Sequence, residues 1–315
     1  MKISKSYISN NHFIIAAPRS GTTWMSKMLN AHPDIFCVER RLFGNYADFV
    51  QDDGQVQSRL RVTLDKYVSS LILHHGLHPG KTERLMSSLI KSLVKEERAI
   101  SKKKTIVDKI TPYLGTSEHV LHQINTYFPK SKIIYLVRDG RDVFTSGVFH
   151  WFNKKQTNTE LTDFESDRRD AFKSSKPFKG NRFFQDKEIQ QWANEWKEPL
   201  QTIERARQTH EVKIISYEDM LKDPTNVVEA CLSFFNVKSK PKFVNPCVEA
   251  GQFKKMSKGR NQGEAKADAH VRKGIAGDWK NYFTYEDGKL FHEIAGDSLI
   301  EYGYVENKNW FEELR

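Results

Sequence analysis

An apolar strand that leads directly into a glycine-bearing turn and then a helix is the feature that most constrains this chain. Residues 13–17 are all apolar, the turn begins at Pro18, and Met25, Met28 and Leu29 follow at helical spacing. A strand, a tight turn and a helix in this order point several backbone N–H groups and the positive end of the helix dipole at one position. The pattern therefore predicts an anion-binding loop.

The turn itself carries residue types that bind phosphate. It reads Arg19-Ser20-Gly21-Thr22-Thr23-Trp24. Gly21 allows an anion to approach the backbone closely, and the threonines add hydroxyl donors. It is not a Walker A loop, because Ala16 and Thr22 stand where that motif has its first Gly and its Lys. With Arg19 as the cation, we expect a mononucleotide with a differently placed anionic group; an ordinary strand-to-helix turn is the alternative.

Three further short apolar runs are typical of buried parallel strands, because polar and apolar residues do not alternate in them. They lie at residues 105–107, 133–137 and 212–215, and helical patterns such as that of residues 189–203 separate them. We therefore predict one α/β domain over residues 1–315, with a central parallel sheet of four or five strands flanked by helices.

Composition narrows the class of protein. The chain is 38% apolar, which suffices for a large core, and its net charge of +10 favours an anionic partner. No apolar run approaches the roughly 20 residues that span a bilayer. The three cysteines, Cys37, Cys231 and Cys247, are odd in number and far apart, which is unlike a disulfide framework. We expect a cytoplasmic protein that does not contact a membrane.

A second anion-binding cluster follows the run at residues 133–137. Arg138 stands at the predicted carboxyl edge of the sheet, and Ser146 follows eight residues later. A helix that begins near Arg141 would present Ser146 two turns further on, so that both side chains face the ligand crevice of an α/β sheet. The two could bind one phosphate together. A surface ion-pair turn is the alternative.

The third cluster lies near the C-terminus. It reads Arg272-Lys273-Gly274-Ile275-Ala276-Gly277-Asp278-Trp279-Lys280, and two adjacent cations before a flexible Gly can bind another anion. The three clusters resemble, in this order, the motif set of sulfotransferases that use 3′-phosphoadenosine 5′-phosphosulfate. Their sequences are PRSGTTW, RDGRDVFTS and RKGIAGDWK. The resemblance runs from about Phe13 to Tyr304, and the third motif is typical of the family's cytosolic branch.

The resemblance implies a P-loop-like fold and the in-line transfer of a sulfonate group from that donor to a hydroxyl or amine of a small acceptor. It implies 3′-phosphoadenosine 5′-phosphate (PAP) as the nucleotide product, with no metal and no nucleic acid involved. The residues implied for the 5′-phosphosulfate are Arg19, Ser20, Gly21, Thr22 and Thr23. Those implied for the 3′-phosphate are Arg138, Ser146, Arg272, Lys273 and Gly274. Those implied for the adenine are Trp24, Phe253 and Tyr217.

The resemblance also implies catalytic roles. Arg19 would stabilise the leaving phosphate, Lys109 would contact the sulfonate, and Ser146 also belongs to the implied catalytic residues. Cytosolic members carry a His in a KTH segment, whereas this chain reads Lys109-Ile110-Thr111-Pro112, which is closer to the Golgi-type form. Golgi-type and tyrosylprotein members take a Glu from the stretch after the first helix. We therefore interpret Glu39 as the general base.

Other interpretations of these catalytic residues stay open. Glu39 could instead form a salt bridge to a nearby cation, and Lys109 could be a solvated side chain. His12, His150 and Asp108 are reserve candidates for the base. The histidine pairs and triplets at residues 74–78 and 119–122 lack an evident further ligand, so we expect no metal site.

Residues 154–186 are polar and interleave phenylalanines with Lys and Arg, and we interpret them as a loop or lid insertion that faces the acceptor. A solvated insertion with its phenylalanines packed on the body is the alternative. Two other functions are weighed against sulfonate transfer: a P-loop nucleotide kinase and a non-catalytic polyanion-binding protein. The acceptor and the oligomeric state stay open.

Overall fold

The computed structural model describes residues 10–39, 49–52, 55–58, 81–154, 161–174, 178, 180–264, 266, 269 and 272–315. Five strands form one parallel sheet in the order β2-β5-β1-β6-β7, and β3 pairs with β4 as an antiparallel ribbon. The strands are β1 (Asn11–Ile15), β2 (Ile35–Val38), β3 (Phe49–Asp52), β4 (Gln55–Ser58), β5 (Thr105–Ile110), β6 (Lys132–Val137) and β7 (Glu211–Ser216). The predicted α/β fold with four or five parallel strands is thereby confirmed.

Helices cover both faces of the sheet. They are α1 (Thr22–Asn30), α2 (Lys81–Ser101), α3 (Ser117–Tyr127), α4 (Gly140–Lys154), α5 (Asp163–Ser174), α6 (Asp186–Ala206), α7 (Tyr217–Lys222), α8 (Pro224–Phe234), α9 (Pro241–Ala250), α10 (Phe253–Met256) and α11 (Tyr285–Glu301), with 3₁₀ turns at Asp278–Asn281 and Trp310–Leu314. Within the described ranges, none of these helices combines the length and apolar character that crossing a bilayer requires.

Alternate residues of β1 point into two separate cores. Phe13 and Ile15 pack with residues of α3, α4, α6 and α11, whereas Ile14 and Ala16 pack with residues of α1, α8 and α9. A strand that is buried on both faces needs apolar side chains at every position. This explains why the run that begins at Phe13 is continuous rather than alternating.

The strand order places a ligand crevice between β1 and β6. The chain leaves β1 towards β2 on one side of the sheet, whereas β6, on the other side of β1, is followed by β7. In open α/β sheets, ligands bind at the carboxyl ends of the strands where the chain direction diverges in this way. The loops that carry Arg19 and Arg138 begin at this position.

The segment at residues 154–186 is not a continuous loop, because Asp163–Ser174 forms helix α5. Its start is fixed by a capping box in which Thr162 Oγ accepts from Glu165 N while a Glu165 carboxylate oxygen accepts from Thr162 N. The buried residues of this helix are two cations, Arg168 and Arg169, rather than an apolar stripe. Arg168 is fully buried and pairs with Glu188 of α6 at 2.8 Å. Phe172 stacks on the core residue Phe149 with ring centroids 4.1 Å apart.

Candidate active site

The carboxyl ends of β1 and β6 open into a cavity of about 480 Å³. Its lining draws on all three sequence clusters and on the predicted adenine residues. The predicted residues that line it are Arg19, Gly21, Thr22, Thr23, Trp24, Arg138, Ser146, Tyr217, Phe253, Arg272, Lys273 and Gly274. Ser20 is buried beneath the loop, and its Oγ has no hydrogen-bond partner among the described residues.

The first loop is shaped by backbone conformations that favour glycine. Gly21 precedes α1 with φ 95°, and Arg19 also has a positive φ, of 69°. A Cβ atom on Gly21 would lie 2.6 Å from the Tyr217 ring. The N-cap residue of α1 is Gly21, which has no side chain to cap the helix, and the first turn lines the cavity. Backbone N–H groups and the positive dipole end of α1 therefore face it. The loop is therefore built to receive an anion.

Arg19 lies at the centre of a concentration of positive charge. Its Nε donates to Ser146 Oγ at 3.2 Å, and its carbonyl oxygen accepts from Arg138 Nη1 at 3.1 Å. Burial, followed by repulsion from Arg138 and Arg272, lowers the pKa of the Arg19 guanidinium to about 10. Buried like charges destabilise one another. A ligand that carries several negative charges would relieve this repulsion.

Arg138 joins the loop after β1 to the C-terminal motif. Its Nη2 donates to the carbonyl oxygen of Ile275 at 3.3 Å, and its guanidinium lies 4.3 Å from the centre of the Tyr217 ring. Its Nε is buried and has no hydrogen-bond partner among the described residues. A buried donor of this kind costs free energy unless a ligand accepts from it.

The third cluster is held together by a carboxylate. Asp278, which is nearly inaccessible, pairs with Arg272 and lies 2.6 Å from Lys273 Nζ. Gly274 has φ 66°, and a Cβ atom there would lie 2.4 Å from the Phe253 ring. The two cations and this ring are therefore held against one wall of the cavity.

Aromatic and apolar side chains also line the cavity. Trp24 Nε1 donates to the carbonyl oxygen of Gly251 at 2.8 Å, and the Trp24 ring meets the Tyr217 ring at 74° with centroids 5.6 Å apart. Phe253 lines the same cavity, as do Met28 and Val248. A planar heterocycle fits a slot of this composition.

Lys109 and Glu39 form an ion pair, with 2.7 Å between Nζ and Oε2. Lys109 lies inside β5 rather than after it, because the strand continues beyond the predicted residues 105–107 to Ile110. Glu39 directly follows β2, whose last residue, Val38, pairs with Asp108. Neither residue of the ion pair is among the described residues that line the cavity. The salt bridge that the sequence left open for Glu39 is thus present, and its role as a base stays a prediction.

The reserve candidates for the base differ in position. His12 lies near the amino end of β1, stacked on Phe235 with ring centroids 5.0 Å apart, at the opposite end of the strand from the loop of Arg19. Burial and then repulsion from Lys132 lower the pKa of His12 to about 4. Asp108 is buried inside β5, and His150 is half-buried on α4. Of the histidines with metal-like spacing, residues 74–78 lie outside the described ranges.

Several residues that shape the cavity were not singled out from the sequence. Asp142 and Asp278 occur inside the quoted motifs, so their position was a usable signal. Arg260 donates to the carbonyl oxygen of Arg272 at 2.7 Å, and Gln262 Nε2 donates to that of Gly274 at 2.7 Å. Nothing in the local sequence distinguishes these two from ordinary surface residues.

Comparison with known proteins identifies the family. Residues 9–303 match the family model of the sulfotransferase domain, and the chain belongs to that family. The 3-alpha-hydroxysteroid sulfotransferase of Cavia porcellus is 27% identical over 201 residues, which are 61% of this chain and 64% of the relative. The chain thus spans less than two thirds of that relative.

Two further comparisons cover more of the chain. Sulfotransferase 1A1 of Bos taurus is 23% identical over 284 residues, which are 87% of this chain and 78% of the relative. The crystal structure of mouse sulfotransferase SULT7A1 complexed with PAP superposes with a TM-score of 0.53 at 18% identity, covering 94% of this chain and 89% of the mouse protein. This similarity supports the fold.

Proposed function

We propose that this protein transfers a sulfonate group from 3′-phosphoadenosine 5′-phosphosulfate to a hydroxyl or amine of a small-molecule acceptor, in the cytoplasm and without a metal ion or nucleic acid. One observation carries the proposal: three cationic clusters that are far apart in sequence meet at one cavity beside an aromatic slot. The alternative, a P-loop nucleotide kinase, would need the Walker lysine that this loop lacks.

The residues present fit such a nucleotide. Ser20 Oγ and Arg138 Nε are buried donors without partners among the described residues, and each could bind a phosphate oxygen. Gly21 and Gly274 are sites where a Cβ atom would meet the rings that line the cavity. A cavity of about 480 Å³ lies within the usual range of small-molecule sites, about 300–1,000 Å³.

Each cluster then has its own task. The bound donor supplies the sulfonate and a phosphate leaving group. Arg19 places its guanidinium where negative charge develops on that phosphate, and Ser146 orients the guanidinium through its hydrogen bond. Arg138, Arg272 and Lys273 hold the 3′-phosphate, while Trp24 and Phe253 enclose the adenine.

Lys109 and Glu39 would act on the acceptor side of the reaction. We assign Lys109 to the sulfonate oxygens and Glu39 to the proton of the acceptor hydroxyl. Their ion pair keeps a carboxylate and an ammonium 2.7 Å apart at the carboxyl edge of the sheet. Lys109 would thereby hold the Glu39 carboxylate in place before the acceptor arrives.

The similarity to a hydroxysteroid sulfotransferase suggests which acceptors to test first. A panel that contains a hydroxysteroid, a simple phenol and an aliphatic amine, each incubated with sulfur-labelled donor, would reveal transfer to a hydroxyl or an amine. If none of the three acceptor classes gave a labelled product, the proposed activity would be contradicted.

Calorimetry tests the nucleotide assignment directly. PAP and AMP are titrated in EDTA, and we expect PAP to bind about 100-fold more tightly, because two or more charge-assisted contacts reach only the 3′-phosphate. Equal affinities would refute the 3′-phosphate site. A steep loss of PAP affinity with salt would instead favour the polyanion-binding alternative, because counterion release dominates such binding.

A further inference from the structure

A buried carboxylate beneath the cavity connects two cationic clusters. The side chain of Asp142, in the first turn of α4, accepts from Gly277 N at 2.7 Å and from Trp279 N at 3.1 Å. Asp142 is 1% exposed. Both carboxylate oxygens thus accept hydrogen bonds from one turn, which lies 135 residues or more away in sequence.

The turn that Asp142 holds contains the residue that organises the C-terminal cations. Asp278 lies between the two backbone N–H groups, and its carboxylate contacts Arg272 and Lys273. It also accepts from Asn281 Nδ2 at 3.1 Å. A shift of the turn would therefore move Asp278, and both cations with it.

Asp142 also lies close to Arg138 and Ser146, the other half of the proposed 3′-phosphate site. It precedes Ser146 by four residues on α4, so these two lie along one helix face, and it follows Arg138, which lies just before the helix, by four residues. Its Oδ2 is 3.7 Å from Arg138 Nη2. Asp142 is therefore next to the half of the proposed site that Arg138 and Ser146 supply, and those two side chains line the cavity.

We propose that Asp142 is a positioning residue that sets the distance between Arg138 and Ser146 on one side of the 3′-phosphate and Arg272 and Lys273 on the other. Asp142 acts through Asp278 and does not itself line the cavity. The inference rests on the proposed function, because it assumes a nucleotide with a 3′-phosphate. It assigns part of the preference for PAP over AMP to a residue that does not touch the nucleotide.

The first test is Asp142→Asn, which keeps the shape of the side chain but turns one acceptor oxygen into an NH₂ group that faces a backbone N–H. We expect PAP affinity to fall about 10-fold to 100-fold, because the turn loses a charge-assisted bond. AMP affinity should change by less than about 3-fold. The PAP to AMP affinity ratio, measured by calorimetry, is therefore the decisive quantity.

Asp287→Asn is the matched control. Asp287 is as deeply buried as Asp142 and also accepts from a backbone N–H, that of Thr284 at 2.8 Å, but it lies at the start of α11 outside the cavity lining. We expect this variant to lower the melting temperature and to keep the affinity ratio. If both variants lost PAP and AMP affinity in parallel with melting temperature, Asp142 would be only a structural residue and the inference would be wrong.

Asp278→Asn keeps the test decisive if Asp142→Asn does not fold. It leaves both backbone bonds of Asp142 in place and weakens only the hold on the two cations, so the affinity ratio should again fall about 10-fold. An unchanged ratio in this variant would overturn the inference. If the wild-type protein itself bound PAP and AMP equally, the proposed function would fail instead, and the two failures are thus distinguishable.

Discussion

Arg19 Nε donates a hydrogen bond to Ser146 Oγ at 3.2 Å, so that the loop after β1 is connected to the second turn of α4. The two residues come from motifs assigned to different ends of one nucleotide, the 5′-phosphosulfate and the 3′-phosphate. Their contact means that these two ends of the proposed site share a polar connection. A change at Arg19 should therefore be tested for binding and turnover separately.

We expect Arg19→Ala to lower turnover about 10²-fold to 10³-fold, the typical effect of removing one donor that stabilises transition-state charge. PAP affinity should fall much less, because Arg138, Arg272 and Lys273 remain. The measurement is the rate at saturating donor together with calorimetry of PAP. If PAP affinity collapsed while saturated turnover held, Arg19 would only bind the ground state.

Glu39→Gln should lower turnover about 10²-fold to 10⁴-fold, because the amide cannot accept the acceptor's proton. The melting temperature should hardly change, since the Glu39 side chain is 42% exposed and exposed ion pairs contribute little stability. Single-turnover rates with preloaded donor, measured beside a thermal melt, check this. If turnover stayed normal, the ion pair with Lys109 would be the only role of Glu39. Parallel His150→Asn and Asp108→Asn variants would then locate the base.

Gly274→Ala should weaken nucleotide binding by more than its backbone strain explains. The new Cβ atom would lie 2.4 Å from the Phe253 ring and push that ring from its place in the slot. Gly303 is a matched control, because its φ of 74° is also positive but a Cβ atom there would have no described neighbour within 4 Å. We expect both alanine variants to lose stability, and only Gly274→Ala to lose PAP affinity, by about 10-fold or more. If the two variants bound PAP equally well, Phe253 would not contact the adenine.

Glu195 predicts a pH dependence of stability. It is 4% exposed on α6, and burial together with repulsion from Glu198 raises the pKa of its carboxyl to about 7, although a hydrogen bond from the backbone of Leu114 opposes this. Between about pH 4.5 and 7 the folded protein therefore holds a proton that the unfolded chain has released. The contribution of Glu195 to the free energy of unfolding falls by about 3 kcal/mol over this range as the pH rises.

Glu195→Gln removes that contribution. Relative to wild type, the variant should gain about 3 kcal/mol in free energy of unfolding between pH 4 and pH 8. The comparison must be made against wild type at each pH, because the lowered pKa of His12 acts in the opposite direction between about pH 4 and 6.5. Denaturant titrations at several pH values provide the measurement, and a difference independent of pH would contradict the raised pKa.

Local sequence was enough to predict most of the residues that line the cavity. The loop after β1 and the Arg138 and Arg272 segments each combine a particular backbone conformation with particular donors inside fewer than ten residues. The helix of residues 189–203 was predicted for the same reason, because apolar spacing is a local signal.

Long-range packing decided the rest. Helix α5 escaped prediction because its buried residues are the cations Arg168 and Arg169, and the ion-pair partner of Arg168 is Glu188, 20 residues away. The salt bridge of Glu39 depends on β2 pairing with β5, which places residue 39 beside Lys109 although 70 residues separate them. The bonds from Asp142 to the turn at residues 277–279 exist only because two distant segments pack together. Sequence by itself determined which groups are suited to an anion, because phosphate binding needs a local arrangement of N–H groups and cations. Only the tertiary structure decided which carboxylates hold those groups in place.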